Sequence, residues 1–177
     1  MQHKNIIITG ATDGIGLAAA KSIAKKGYHV SLVGRNSEKG KKALEAIIEH
    51  SGNENLDFFE CDLSLVANVK DLSDKIKQKY SKIDVLLNNA GGANKTKQIT
   101  TEGLEKTFAT NQMNYFVLST ELLEIISESD DGRIVNVASN AHIGAEVDYE
   151  NINSEKSFSA WTSYCCLLYT SDAADDC

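Results

Sequence analysis

Short runs of apolar residues alternate along the chain with longer stretches in which apolar residues recur every three or four positions. The short runs, of which Ile6-Ile7-Ile8 is the first, are typical of buried strands, and the longer stretches are typical of amphipathic helices. We predict strands at residues 4–9, 29–34, 56–61, 83–87 and 133–137. Strands that alternate with helices form a parallel sheet with helices on both faces and right-handed crossovers. The pattern therefore predicts an α/β fold.

Two predicted helices have features that a structure can test. The first, at residues 15–26, places Ile15, Ala19 and Ile23 on one face and ends at Gly27. The longest helical pattern covers residues 101–127, and we expect it to be interrupted near Gln112.

A glycine-rich turn joins the first predicted strand to the first helix. It reads Thr9-Gly10-Ala11-Thr12-Asp13-Gly14-Ile15-Gly16. Such a turn holds a dinucleotide pyrophosphate, because glycines let the backbone approach the phosphates and the helix N-terminus supplies N–H groups and partial positive charge. The spacing is Gly-x-x-x-Gly-x-Gly, not the commoner Gly-x-Gly-x-x-Gly, so an ordinary strand-to-helix turn is the alternative interpretation.

Polar residues follow the other predicted strands at the same relative position. They are Arg35 after strand 2, Asp62 after strand 3, residues 88–91 after strand 4 and Ser139 after strand 5. Ligands of doubly wound sheets bind at the carboxyl ends of the strands. The clustering therefore predicts a single site at this edge of the sheet. For the fold we predict a Rossmann-type, doubly wound parallel sheet that is truncated after strand 5 and has the strand order 3-2-1-4-5.

Composition narrows the function classes. The net charge of −7 argues against binding of the nucleic-acid backbone. No apolar run is long enough to span a bilayer, and the first strand begins too early for a signal peptide, so we expect a cytoplasmic protein without a membrane segment. The four cysteines form no Cys-x-x-Cys pair, which predicts neither a disulfide framework nor a metal site.

The stretch Asn88-Asn89-Ala90-Gly91 belongs to an ordered set of motifs that resembles the short-chain dehydrogenase/reductase family. The other members of the set are Thr9-Gly10, Gly14, Gly16, Asp62-Leu63, Asn111 and Ser139. Residues 133–142 and 153–158 are most similar to the retinol dehydrogenase-like branch. The resemblance implies an NAD(P)-binding domain over residues 1–165, incomplete at its C-terminus, and an oxidoreductase that acts on a small, lipophilic carbonyl or alcohol substrate.

The resemblance also implies which residues bind the cofactor. They are Gly10, Gly14, Ile15, Gly16, Arg35, Asp62, Leu63, Asn89, Ala90 and Gly91. The glycine turn would hold the pyrophosphate, Asp62 would accept a hydrogen bond from adenine, and residues 89–91 would line the ribose and brace the sheet. A guanidinium after strand 2 favours a 2′-phosphate, so Arg35 predicts NADP over NAD, with a solvated arginine as the alternative.

Three residues match the family's catalytic positions. Tyr164 would be the general acid/base for hydride transfer between nicotinamide and a carbonyl or alcohol carbon, with Tyr149 as a rival tyrosine. Ser139 would hold the substrate oxygen, and Asn111 would support a water molecule.

The chain departs from the family after Tyr164. The family places a lysine four residues after this tyrosine, where Leu168 stands here, and no lysine follows Lys156. Residues 166–177 resemble a translated sequencing adapter, so we expect a non-native tail on a fragment of an NADP-dependent oxidoreductase that is itself inactive. The alternative is a dinucleotide-binding pseudoenzyme that has lost its lysine.

Overall fold

Five parallel strands form one sheet in the computed structural model, which describes residues 4–172. The strands are β1 (Asn5–Thr9), β2 (His29–Gly34), β3 (Leu56–Glu60), β4 (Val85–Asn88) and β5 (Arg133–Asn136). Their order is β3-β2-β1-β4-β5, and every pair of neighbours is parallel. The predicted doubly wound fold and its strand order are confirmed.

Helices cover both faces of the sheet. They are α1 (Gly14–Ala24), α2 (Ser37–Ser51), α3 (Val66–Lys79), α4 (Lys106–Phe108), α5 (Asn114–Ser127) and α6 (Ala160–Asp172), with a π turn (Ala109–Met113) and 3₁₀ turns (Asn140–His142 and Tyr149–Asn151). Alternation along β1 separates two apolar cores, because successive side chains of a strand point to opposite faces. Ile6 and Ile8 pack with α1 and α2, whereas Ile7 packs with α3 and α5.

The helical pattern predicted for residues 101–127 begins later than expected. The helix starts at Lys106, where the buried Glu105 caps it by accepting a hydrogen bond from the Phe108 N–H at 3.0 Å. The interruption expected near Gln112 is the π turn, which separates α4 from α5. The long connection between β4 and β5 is therefore helical with a local widening around Asn111.

The face predicted for the first helix is only partly correct, because Ile23 packs against the core but Ile15 does not. Ile15 is 73% exposed, and the residues that α1 buries are Gly16, Ala20 and Ala24. A small residue is needed at position 16 because α1 starts against the backbone of the glycine turn. This requirement, and not the size of the side chains, sets which face of α1 meets the sheet.

Candidate active site

A cleft of about 560 Å³ opens where the carboxyl ends of β1 to β4 meet. Six of the residues predicted to bind a cofactor line it: Gly10, Arg35, Asp62, Leu63, Ala90 and Gly91. Gly14, Ile15 and Gly16 belong to the start of α1, directly after the turn that begins at Gly10, and Asn89, the residue after β4, contacts that turn. The structure therefore places six of the ten predicted cofactor residues in the wall of the cleft and the other four in or next to the glycine turn.

The glycine turn is packed too closely to accept side chains at two positions. Gly10 has a φ of +65°, and a Cβ there would lie 2.8 Å from the Ala90 Cα. A Cβ on Gly16 would lie 2.4 Å from the Gly10 carbonyl oxygen and 2.5 Å from the Asn89 Nδ2. Both glycines are thus required by close approach of the backbone and not only by turn geometry.

Thr9 and Asn89 tie the ends of β1 and β4 together beneath the cleft. The Thr9 hydroxyl accepts hydrogen bonds from the backbone N–H groups of Asn89, at 2.9 Å, and Ala90, at 3.0 Å. The Asn89 side chain donates to the Thr9 carbonyl at 2.9 Å. Thr9 is fully buried. Sequence reasoning missed its bracing role, although its place directly before Gly10 at a strand end was a usable signal.

Charged side chains surround the cleft, with Arg35, Lys39 and Lys106 opposing Asp13 and Asp62. Burial raises the pKa of Asp62, but hydrogen bonds from Ser64 and the charges of Lys106 and Arg35 outweigh it and hold that pKa below its usual value. Both Ser64 bonds, from the N–H at 3.0 Å and the hydroxyl at 2.8 Å, go to Oδ1. A ligand would therefore use the other carboxylate oxygen of Asp62.

Asn111 lies in the π turn and fixes the loop that follows β4. Its Nδ2 donates to the carbonyls of Gly92, at 2.9 Å, and Thr107, at 2.8 Å, and its Oδ1 accepts from the Gly92 N–H at 2.9 Å. A Cβ on Gly91 would lie 2.5 Å from this Oδ1, which explains the glycine. Both amide hydrogens of Asn111 are used within the protein. Asn111 can therefore support the predicted water only by accepting a hydrogen bond from it through an oxygen atom.

Ser139 ends the extended segment after β5 and caps the 3₁₀ turn that follows. Its Oγ accepts a hydrogen bond from the Ala141 N–H at 3.2 Å. Its carbonyl oxygen accepts from the His142 Nδ1 at 2.6 Å, which fixes a proton on that ring nitrogen. The hydroxyl proton of Ser139 is not engaged by the cap, so it is available for donation to a substrate oxygen.

Tyr164 is half-buried on α6, with its ring centroid 6.2 Å from that of Trp161. This helix packs against the 3₁₀ turn capped by Ser139 and against the π turn that holds Asn111. Burial raises the pKa of Tyr115, and the neighbouring Tyr164 adds to that rise. The three predicted catalytic residues thus share one side of the molecule, but none of them lines the 560 Å³ cleft.

A set of hydrogen bonds that the sequence did not predict joins the segment before α6 to the loop after β4. The backbone N–H of the fully buried Glu105 donates to the Asn153 Oδ1 at 2.7 Å, and the Asn153 Nδ2 donates to the Gly103 carbonyl at 3.2 Å. Next to it, Lys97 donates to the Ser154 carbonyl, and the Ser154 hydroxyl lies 3.1 Å from that of Ser163. These contacts fix the chain just before Tyr164.

Residues 4–172 contain neither a cluster of metal-ligating side chains nor a helix that could cross a membrane. Within this range, no group of three or more histidine, cysteine, aspartate or glutamate side chains is arranged to hold a metal ion. None of the helices described there is both long and apolar enough to cross a bilayer.

The chain matches a known protein family over most of its length. The family described as short chain dehydrogenase matches residues 4–149. The chain belongs to the short-chain dehydrogenase/reductase family. Members of this family are oxidoreductases that use NAD or NADP with small-molecule substrates.

Two human relatives support the retinol dehydrogenase-like branch of the short-chain dehydrogenase/reductases. Polyprenol dehydrogenase is 34% identical over 162 residues, which cover 89% of this chain and 49% of that protein. Retinol dehydrogenase 11 is 33% identical over 162 residues, which cover 92% of this chain and 51% of that protein. The chain therefore spans about half the length of the curated relatives it matches.

A solved short-chain dehydrogenase from Shigella flexneri, in complex with NADP, has the same fold. Its TM-score with this chain is 0.75 at 25% identity, over 97% of this chain and 67% of that one.

Proposed function

We propose that the whole protein to which this chain corresponds is an NADP-dependent oxidoreductase that transfers a hydride between nicotinamide and a lipophilic carbonyl or alcohol substrate. The observation that carries the proposal is the cleft at the strand ends, where a braced glycine turn faces Arg35. A volume of about 560 Å³ lies within the usual range for small-molecule sites, roughly 300–1,000 Å³. The cytoplasmic location predicted from the sequence is part of this proposal.

The residues present fit an NADP molecule. The close-packed turn at Gly10 leaves its backbone facing the cleft, and the ionised Asp62 offers a carboxylate to an adenine amino group. Arg35 is exposed on the cleft wall after β2, where its planar guanidinium could form paired hydrogen bonds with a 2′-phosphate. When bound, the nicotinamide supplies or accepts the hydride.

The protein's own residues would handle the proton. The Tyr164 hydroxyl would give a proton to the substrate oxygen or take it back, and the Ser139 hydroxyl would hold that oxygen through its free proton. Asn111 would support a water through an oxygen atom. Tyr149 stays the rival tyrosine; it is 76% exposed on a 3₁₀ turn.

Calorimetric titration of the 177-residue chain with NADPH and NADH tests the cofactor assignment. We expect tighter binding of NADPH, and we expect Arg35→Asp to weaken NADPH binding while sparing NADH. Equal affinities for the two cofactors in the unmutated chain would overturn the NADP assignment.

The catalytic assignment needs a longer form that carries a lysine four residues after Tyr164. In that form Tyr164→Phe should abolish turnover and leave cofactor affinity nearly unchanged. Full activity of the variant would move the role to another residue, with Tyr149 the first to test.

The alternative is a dinucleotide-binding protein without catalysis, and it is favoured by Leu168. This residue stands where the family has its lysine, and it is only 5% exposed on α6. We propose instead that residues 166–177 are not native and that residues 1–165 are an incomplete NAD(P)-binding domain, so that the given chain binds cofactor but is inactive. The genomic sequence across codon 166 discriminates between the two, since a lysine codon at the fourth position after Tyr164 favours the enzyme.

A further inference from the structure

Ser154 is buried and strained, a few residues before the helix that carries Tyr164. Its φ is +54°, and within residues 4–172 it is the one residue other than glycine with a positive φ. It is 1% exposed. A residue with a Cβ is strained in this left-handed conformation, which persists only where surrounding contacts impose it and which clusters at functional sites. The strain therefore points to a role for Ser154 in the neighbouring candidate active site.

Contacts from three sides hold the backbone of Ser154 in this conformation. Its N–H donates to the Asn151 carbonyl at 2.7 Å, and its carbonyl oxygen accepts a hydrogen bond from the Lys97 ammonium. The preceding residue, Asn153, accepts a hydrogen bond from the Glu105 N–H at 2.7 Å. Lys97 and Glu105 both lie between β4 and α4. The strained conformation is therefore imposed by a distant loop and not only by the local turn.

The hydroxyl of Ser154 reaches the helix α6. Its Oγ lies 3.1 Å from the Ser163 Oγ, and Ser163 directly precedes Tyr164 on that helix. The Ser163 N–H donates to the Ser159 carbonyl at 2.9 Å, so Ser163 belongs to the first hydrogen-bonded turn of α6. A hydrogen bond at this point fixes the rotation of the turn, and the rotation sets the direction in which the Tyr164 side chain leaves the helix.

We propose that Ser154 is a positioning residue for Tyr164: the loop after β4 holds its backbone in the left-handed conformation, and its hydroxyl fixes the first turn of α6 through Ser163. The inference rests on the proposed catalytic role of Tyr164. Glycine would adopt this backbone conformation without strain but has no hydroxyl, so the serine is explained by its bond to Ser163. Lys97 takes part because its ammonium holds the Ser154 carbonyl.

The variant Ser154→Gly, in the full 177-residue chain, separates this role from a purely local one. Because glycine relieves the strain, the urea midpoint of unfolding should not fall. Loss of the hydroxyl should nevertheless speed amide exchange at residues 160–165 by about two- to tenfold. The near-ultraviolet circular dichroism of Trp161, the only tryptophan of the chain, should also change, since its ring centroid lies 6.2 Å from that of Tyr164.

Ser154→Ala is the companion variant, because it keeps the strain and loses the hydroxyl. It should lower the urea midpoint and speed exchange at residues 160–165 as much as Ser154→Gly does. The two variants would then differ in stability and agree in their effect on α6, which a merely structural role of Ser154 would not produce.

Two further substitutions test the partners of Ser154. Ser163→Ala should reproduce the faster exchange at residues 160–165, and combining it with Ser154→Gly should add nothing, because both remove the same hydrogen bond. Lys97→Met should also speed this exchange. The matched control is Lys95→Met, at an exposed position two residues earlier in the same loop, which should leave exchange and the Trp161 spectrum unchanged.

The outcomes separate this inference from the proposed function. Unchanged exchange and an unchanged Trp161 spectrum in Ser154→Gly would overturn the inference, as would additive effects of Ser154→Gly and Ser163→Ala or equal effects of the two lysine variants. None of these results touches the catalytic role of Tyr164. Full activity of Tyr164→Phe in the longer form would overturn that role, and the function assigned to Ser154 would be lost with it even if Ser154→Gly alters α6.

Discussion

The strands that form the cleft and the strand that leads to Ser139 differ sharply in burial. Four of the five residues of β1 are buried, and Ile7 and Ile8 are inaccessible to solvent. All four residues of β5 are exposed, with Ile134 38% and Val135 43% accessible. The proposed cofactor residues therefore rest on a packed frame, whereas the proposed catalytic serine follows an edge strand whose four residues are all exposed.

The hydrogen bonds at the strand ends are also more numerous and more buried in the cleft than after β5. Beneath the cleft, the buried Thr9 hydroxyl serves two backbone N–H groups. After β5, the half-buried Ser139 hydroxyl accepts a hydrogen bond from only one backbone N–H group, on a turn that is accessible to solvent. Because an unpaired buried N–H costs more than an unpaired exposed one, the geometry of the cleft is the more strongly determined of the two.

The largest effect should come from Gly16→Ala. Its Cβ would clash with the Gly10 carbonyl and the Asn89 amide, so the unfolding free energy should fall by about 3 kcal/mol and NADPH binding should be lost. Gly27→Ala is the control, because Gly27 has a φ of +80° but open space around a Cβ, and it should cost about 1 kcal/mol. Urea unfolding of both variants checks this; equal losses would show that close packing at the turn is unimportant.

A smaller effect is expected from Thr9→Val, compared with Ser139→Ala. The first leaves the N–H groups of Asn89 and Ala90 unpaired in the interior, which should cost about 2 kcal/mol. The second removes one cap on an accessible turn and should cost less than about 1 kcal/mol. Thermal or urea unfolding measures both. A larger loss for Ser139→Ala would reverse the contrast drawn between the two regions.

The smallest change in stability is expected from Val135→Lys on β5. Since Val135 is exposed, the unfolding free energy should change by no more than about 0.5 kcal/mol. A charge on an exposed edge strand should nevertheless reduce self-association, which light scattering at increasing concentration would reveal. A loss of unfolding free energy as large as that of Thr9→Val would mean that Val135 is buried in solution.

The sequence was sufficient to predict the elements that depend on the pattern of neighbouring residues along the chain. The bounds of β2 agree with the prediction, and the break near Gln112 is present as a π turn. Ile15 shows where local reasoning failed: helical spacing favoured it as an inward-facing residue, but contact between the backbone of the turn and Gly16 turns it outward. A clash between backbone segments leaves no trace in hydrophobic periodicity.

Long-range hydrogen bonds were the part of the site that the sequence could not predict. Asn153 meets the Glu105 backbone from 48 residues away. Glu102 accepts the N–H groups of Val66, at 2.6 Å, and Ala67, at 2.9 Å, and so caps α3 from a distant loop. Each of these polar residues is unremarkable in its local sequence, and only the folded chain brings its partner near.

Amide hydrogen exchange of the 177-residue chain with and without NADPH tests the central claim most directly: that the buried frame at the ends of β1 to β4 binds the cofactor by itself. We predict slower exchange on binding at residues 10–16, 34–36, 61–64 and 89–92, and little change along β5 or α6. Absence of protection in the first four segments at saturating NADPH, or protection confined to β5 and α6, would contradict the account.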